Sequence, residues 1–167
     1  MKIINLTFAI ICSFLVVSCN PADKAKETTT TNSPAITVSN AIYPLGQVIH
    51  LPVEPESVKF QTINLTVKTA GAAEEWGIVA LMKFSDENMK VVLENSRPIE
   101  AQNLPVTFAF DWVKPSLDAN FKKDAAGNYE FTKPAMSAEY FYRSPLIQGS
   151  SFQVSSNELL VYIHTQQ

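Results

Sequence analysis

Short runs of alternating apolar and polar positions, separated by turn residues, dominate the chain from about residue 35 onward. A period of two sends successive side chains to opposite faces of a strand, whereas a core-facing helix needs a period near 3.6. Helical periodicity nowhere lasts beyond two turns, and nine prolines between Pro34 and Pro145 break any long helix. The predicted strands are Ile36 to Ala41, Gln47 to Leu51, Val58 to Lys68, Gly77 to Phe84, Met89 to Glu94, Val106 to Trp112, Asn120 to Lys123, Tyr129 to Thr132, Glu139 to Arg143 and Leu159 to Thr165. In the first long run, Ile63, Leu65 and Val67 alternate with Asn64, Thr66 and Lys68. Val106, Phe108, Phe110 and Trp112 take the inward phase of another.

Ser85-Asp86-Glu87-Asn88 has the length of a hairpin loop between two of these runs. Asp124 to Asn128 reads as a second hairpin turn, since Gly127 and Asn128 tolerate positive φ. A helical turn fits Pro115 to Asn120, and LLVYIHT is apolar enough to lie inside a sheet. The expected fold is therefore all-β: an antiparallel two-layer β-sandwich, immunoglobulin-like or transthyretin-like, of about nine strands over 35–167.

The first 34 residues have a different character. Lys2 precedes an apolar run from Leu6 to Val17 that is too short to span a bilayer and reads as an export leader. It ends in Val16-Val17-Ser18-Cys19, which resembles the lipobox of bacterial lipoproteins: an aliphatic residue, a small residue at the cleavage point and then the cysteine. The resemblance implies that 1–18 is removed and that the Cys19 sulfur carries a diacylglycerol, often with an acylated amine beside it. Each buried methylene contributes about 0.8 kcal/mol, so two or three chains hold a protein firmly to the bilayer. Asn20 rather than Asp after the cysteine implies, by analogy with enterobacterial sorting, the outer membrane.

Residues 19–34 then read as a lipidated cysteine and a tether. NPADKAKETTTTNSP has no large apolar side chain and cannot bury enough surface to order itself. Fifteen flexible residues span about 20 Å. The domain behind them resembles no family.

Composition narrows the function. A formal charge of −3, one unit more negative without Lys2, offers no basic footprint for nucleic acid or for anionic lipid. Attachment to the bilayer must come from the acyl chains. Cys12 and Cys19 both precede the domain, which therefore has no disulfide and no thiolate.

Catalytic material is sparse. His50 and His164 are the two histidines, with no metal-ligand or triad spacing around them. The acidic pairs Glu74-Glu75 and Asp86-Glu87 sit in expected turns. No cofactor or metal site is expected, nor an enzyme.

The aromatics offer more. Strand alternation places Tyr140 and Tyr142 on one face and Phe141 on the other, so the two tyrosines form an exposed strip if Phe141 is buried. The opposite phase buries both tyrosines. Trp76, after two glutamates, is the aromatic most expected to be exposed. Trp76, Tyr140 and Tyr142 form the candidate binding surface. Three readings stand: a non-catalytic envelope module that binds a protein or aids assembly, a surface carbohydrate-binding lipoprotein, and, weakest, a hydrolase with an unrecognised site.

Overall fold

The computed structural model describes residues 37–65, 75–100, 103–104 and 106–165. The leader, Cys19, the tether, Glu74 and residues 66–68 of the long strand expected from Val58 lie outside the described residues. The described part belongs to one unit, Pro34–Gln167. Its elements run α1 (Ile42–Val48), β1 (Ser57–Asn64), β2 (Trp76–Lys83), α2 (Asp86–Glu94), β3 (Pro98–Ile99), β4 (Asn103–Leu104), α3 (Lys114–Asn120), β5 (Phe121–Lys123), β6 (Tyr129–Phe131), β7 (Ala135–Ser137), β8 (Leu146–Gln153) and β9 (Glu158–Thr165). Short 3-10 turns occupy Val106–Phe108 and Glu139–Phe141.

The fold is mostly β and antiparallel. Among the described residues one sheet has six strands in the order β1-β2-β9-β8-β7-β3, and a second has three in the order β4-β6-β5. Two adjacent interior strands of the larger sheet, β2 and β9, bury apolar side chains on both faces, so each face must be covered. Ile78, Ala80 and Met82 of β2 join Leu159, Val161 and Ile163 of β9 in one core with Leu45, Ile49, Met89, Val92 and Phe141. Val79 and Leu160 face the other way, into a core with Leu117, Phe121, Tyr129, Phe131 and Phe152. Helices thus cover one face, and the small sheet with α3 covers the other.

Aromatic edges knit the second core. Phe152 of β8 meets Phe121 at 5.3 Å and Phe131 at 5.1 Å between ring centroids, both edge-to-face. Such pairs add about 0.5–1.5 kcal/mol each beyond the area they bury.

The helices replace several expected strands. Met89 to Glu94 is the body of α2, and Ser85-Asp86-Glu87-Asn88 is its N-terminus rather than a hairpin loop. The Ser85 hydroxyl accepts the Asn88 amide at 3.2 Å, and Asp86 and Glu87 face the positive end of the helix dipole. Met89 and Val92, three apart, are buried.

Gln47 to Leu51 is not a strand either. α1 covers its start, with Pro44 in the first turn where its missing N–H costs nothing, and Leu45 and Ile49 fully buried. Val106 to Trp112 is a 3-10 turn followed by further turns, in which Lys114 N–H donates to the Phe110 carbonyl at 2.9 Å. Its alternation reflects no strand: Phe108 and Val113 are the buried anchors. Of the expected strand Glu139 to Arg143, Glu139–Phe141 is a 3-10 turn; of Ile36 to Ala41, Ile36 lies outside the described residues and the rest holds a single bridge, Ser39 to Phe60. Helix α3 does occupy the expected turn at Pro115, and the turn between β5 and β6 is held by Asp124, whose carboxylate accepts the Ala126 and Asn128 amides at 2.8 Å. Those bonds and the Asn128 side chain, the largest cause, hold the Asp124 carboxyl below its usual range.

A bulge at Ile147 shifts the β8–β9 register between Leu146 and Gln148. Two positions later Gly149 has φ +150°, and a Cβ there would collide with the Tyr162 carbonyl oxygen on β9. Gly127, at φ +87°, has open space around it. Gly149→Ala is expected to destabilise by about 3 kcal/mol or more, because strain and collision add. Gly127→Ala carries strain alone and is expected to cost about 1 kcal/mol. Chemical denaturation of the two variants reads the difference, and equal losses would contradict the close approach at Tyr162.

Candidate functional site

One end of the larger sheet, where β7 and β9 finish and β8 begins, gathers polar and aromatic side chains into two adjoining hollows. The first, of about 330 Å³, is lined by His50, Asn95, Arg97, Ser137, Glu139 and Tyr140. The second, of about 420 Å³, includes Tyr142, Gln148 and His164 and shares Arg97 and Ser137 with the first. Together they form one groove across the ends of β3, β7, β8 and β9.

Local bonding sets each wall. His50 follows α1, and its backbone N–H donates to the Phe141 carbonyl at 2.9 Å while its Nδ1–H donates to the Tyr140 carbonyl at 3.2 Å. A carbonyl can only accept, so Nδ1 carries a proton in this contact. Arg97 reaches Glu139 at 3.5 Å, an exposed pair worth less than about 1 kcal/mol. The Arg97 carbonyl accepts the Ser137 amide at 2.9 Å, which ties the approach to β3 onto β7.

Ser137 is buried, and its hydroxyl accepts the Glu139 amide at 3.2 Å and bonds the Tyr142 side chain. The Tyr142 hydroxyl donates to the Gly149 carbonyl at 3.2 Å. His164 Nδ1–H donates to the Thr165 carbonyl at 2.7 Å, and its ring stacks on Tyr162 with centroids 5.0 Å apart.

The groove brings together two of the three aromatics singled out from sequence. Tyr140 and Tyr142 are half-buried and Phe141 is fully buried, but a 3-10 turn rather than strand alternation arranges them. Tyr142 is not a free stacking face, since its hydroxyl is tied to β8. Trp76 opens β2 at the same end of the sheet, with its amide donating to the Thr165 hydroxyl at 3.3 Å. It is half-buried against the helical-side core and lines neither hollow. His50, Arg97 and His164 join the groove without a signal in sequence, because they come from three separate elements.

A second depression, of about 670 Å³, lies beside β1 and the turn 109–112. Phe110 and Trp112 stand there half-buried with rings nearly parallel, 9° apart, at 6.1 Å between centroids. Both were expected to point inward from a strand. Among the described residues no group of three or more His, Cys, Asp or Glu is placed to share a metal ion.

No family model matches the chain, and neither a curated protein nor a solved structure is similar to it.

Burial raises the Tyr142 hydroxyl above its ordinary value and pushes Tyr162 up to about 12. The protonated phenol is the neutral form, so the folded chain holds this proton longer than the unfolded chain does. The Tyr162 contribution is complete below the ordinary value of 10.0 and is lost as pH rises toward about 12. Tyr162→Phe is expected to flatten the loss of stability across that window. A phenolate absorbance titration should show Tyr162 among the last tyrosines to ionise; ionisation of every tyrosine near 10 would contradict its burial.

Proposed function

We propose that this chain is an envelope lipoprotein, held to the bilayer by acyl chains on Cys19, whose domain binds a partner protein or helps to assemble one without catalysing a reaction. The anchor rests on Val16-Val17-Ser18-Cys19 at the end of a leader-length apolar run. By the Asn20 analogy, we place the protein at the outer membrane.

The observation that carries the binding role is the bonding inside the groove. Its reactive side chains already serve the fold: the Ser137 hydroxyl binds the Glu139 amide, the Tyr142 hydroxyl binds Gly149, and both histidines donate from Nδ1 to backbone carbonyls. A nucleophile needs a base aimed at it, whereas Ser137 is aimed at an amide. What remains on offer is a shaped, mixed-charge surface on a rigid sheet end, with Arg97, Glu139 and half-buried tyrosine rings. Such a surface supports docking, with Arg and Tyr the residue types that dominate interfaces.

For the architecture, we propose that the two sheets form an antiparallel sandwich of about nine strands across the second core. The contacts of Phe152 with Phe121 and Phe131 support that layering. The order β1-β2-β9-β8-β7-β3 and the helical cover favour neither an immunoglobulin-like nor a transthyretin-like topology over the other.

The anchor and the surface separate experimentally. Labelled palmitate is expected to enter the wild-type chain and not Cys19→Ala, and mass spectrometry should find the acyl chains on residue 19. Photo-crosslinkers placed at Tyr140 in intact cells are expected to trap one envelope protein, with the yield falling at least fivefold in Arg97→Glu. An unacylated chain would remove the anchor. Crosslinks spread evenly over many proteins would remove the docking role.

A further inference from the structure

The depression beside β1 shares no residue with the groove and carries an inference beyond it. Its floor is aromatic and its rim is polar. Trp112 is locked in place: its Nε1–H donates to the Gln61 Oε1 at 3.1 Å, and Gln61 is itself only 6% exposed. The indole's one polar edge is therefore spent inward, and what the half-buried side chain presents at the surface is apolar ring. Phe110 sets a second ring nearly parallel to it.

Around these rings stand Asn40, exposed Asp111 and Lys59, whose ammonium lies 5.9 Å from the Trp112 ring centre. The rim thus carries one cation, one anion and one amide, which bind hydroxyls as donors and acceptors without selecting for ligand charge.

We propose that this depression is a binding site for a neutral saccharide, whose C–H face stacks on Trp112 and Phe110 while its hydroxyls bond Asn40, Lys59 and Asp111. Flat rings beside paired donors and acceptors match a pyranose, which is apolar on its faces and polar around its equator. A proline-rich peptide is a poorer match, since its carbonyls could accept from Lys59 and Asn40 but it has few N–H groups to give the Asp111 carboxylate, which a sugar hydroxyl can donate to. A nucleic acid is poorer still, because Asp111 and the acidic chain oppose phosphate.

The chain has two tryptophans, so Trp76→Phe leaves Trp112 as the single indole reporter. The full-length chain, in a detergent without a sugar headgroup, is titrated with cellohexaose, laminarihexaose, maltohexaose and mannohexaose. At least one is expected to shift the indole emission saturably. Calorimetry with that sugar should show affinity falling at least tenfold in Trp112→Ala and severalfold in Asp111→Ala, an exposed position. Should Trp112→Ala not fold, Phe110→Ala and Asp111→Ala decide the matter. Silence from all four sugars overturns the proposal, as does unchanged affinity in the rim variants. So does sugar binding that is lost in Tyr140→Ala instead, or an emission shift produced only by a decaproline peptide.

Discussion

The constraint on which the rest depends is that the body of β9, Leu159 to Val161, is buried on both faces. LLVYIHT pairs with β2 along one edge and β8 along the other, and it sends Leu159, Val161 and Ile163 to one core and Leu160 to the other. A strand so placed cannot be satisfied by a single layer. Leaving either set exposed would forfeit about 1.5–3 kcal/mol per large side chain, so the chain supplies helices on one face and a small sheet on the other. Both candidate sites lie at margins of this arrangement, where the covering layers stop short of the end of the sheet or its first strand. The candidate residues therefore sit on strand ends and on turns packed against the best-buried part of the protein.

That same constraint explains what was legible in the sequence. β9 and β2 are continuous apolar runs, and such runs survive in any context. The Asp124 turn was legible because its bonds are local, between the carboxylate and the amides of Ala126 and Asn128. Helix α2 was obscured by its own cap. Ser85-Asp86-Glu87-Asn88 satisfies a loop pattern and an N-cap equally well, and only Met89 and Val92 three residues apart distinguish them. β8 was obscured by composition: Ser150 and Ser151 are fully buried in it, and a strand reading that seeks apolar alternation passes over LIQGSSFQ. Ser151 is accommodated by its neighbour β7, its hydroxyl lying 3.5 Å from the Ser137 carbonyl, a contact that only tertiary structure supplies.

The sites were less legible than the fold, for a related reason. Each histidine taken singly has no partner in sequence, and Arg97 has none either. The sheet brings His164 to the groove through the end of β9, His50 through the chain leaving α1, and Arg97 through the approach to β3. Tyr140 and Tyr142 were found by spacing, yet the spacing was read for a strand. In a 3-10 turn the side chains fan around the axis, so one tyrosine reaches each hollow instead of both forming a strip.

Trp112 shows how a polar contact can turn an apparent core residue toward a binding role. Alternation with Phe108 and Phe110 assigned it to the interior, and its ring does pack partly on the second core. Yet the side-chain oxygen of Gln61, a buried amide on β1, needs a donor, and the indole N–H supplies one. Meeting it pins the indole at the sheet margin, half in and half out, with Lys59 above its face and Asp111 beside it in sequence. A phenylalanine at 112 would fill similar space but leave the Gln61 carbonyl oxygen unpaired. The hydrogen bond, rather than the area buried, is therefore what holds this ring where a ligand can reach it.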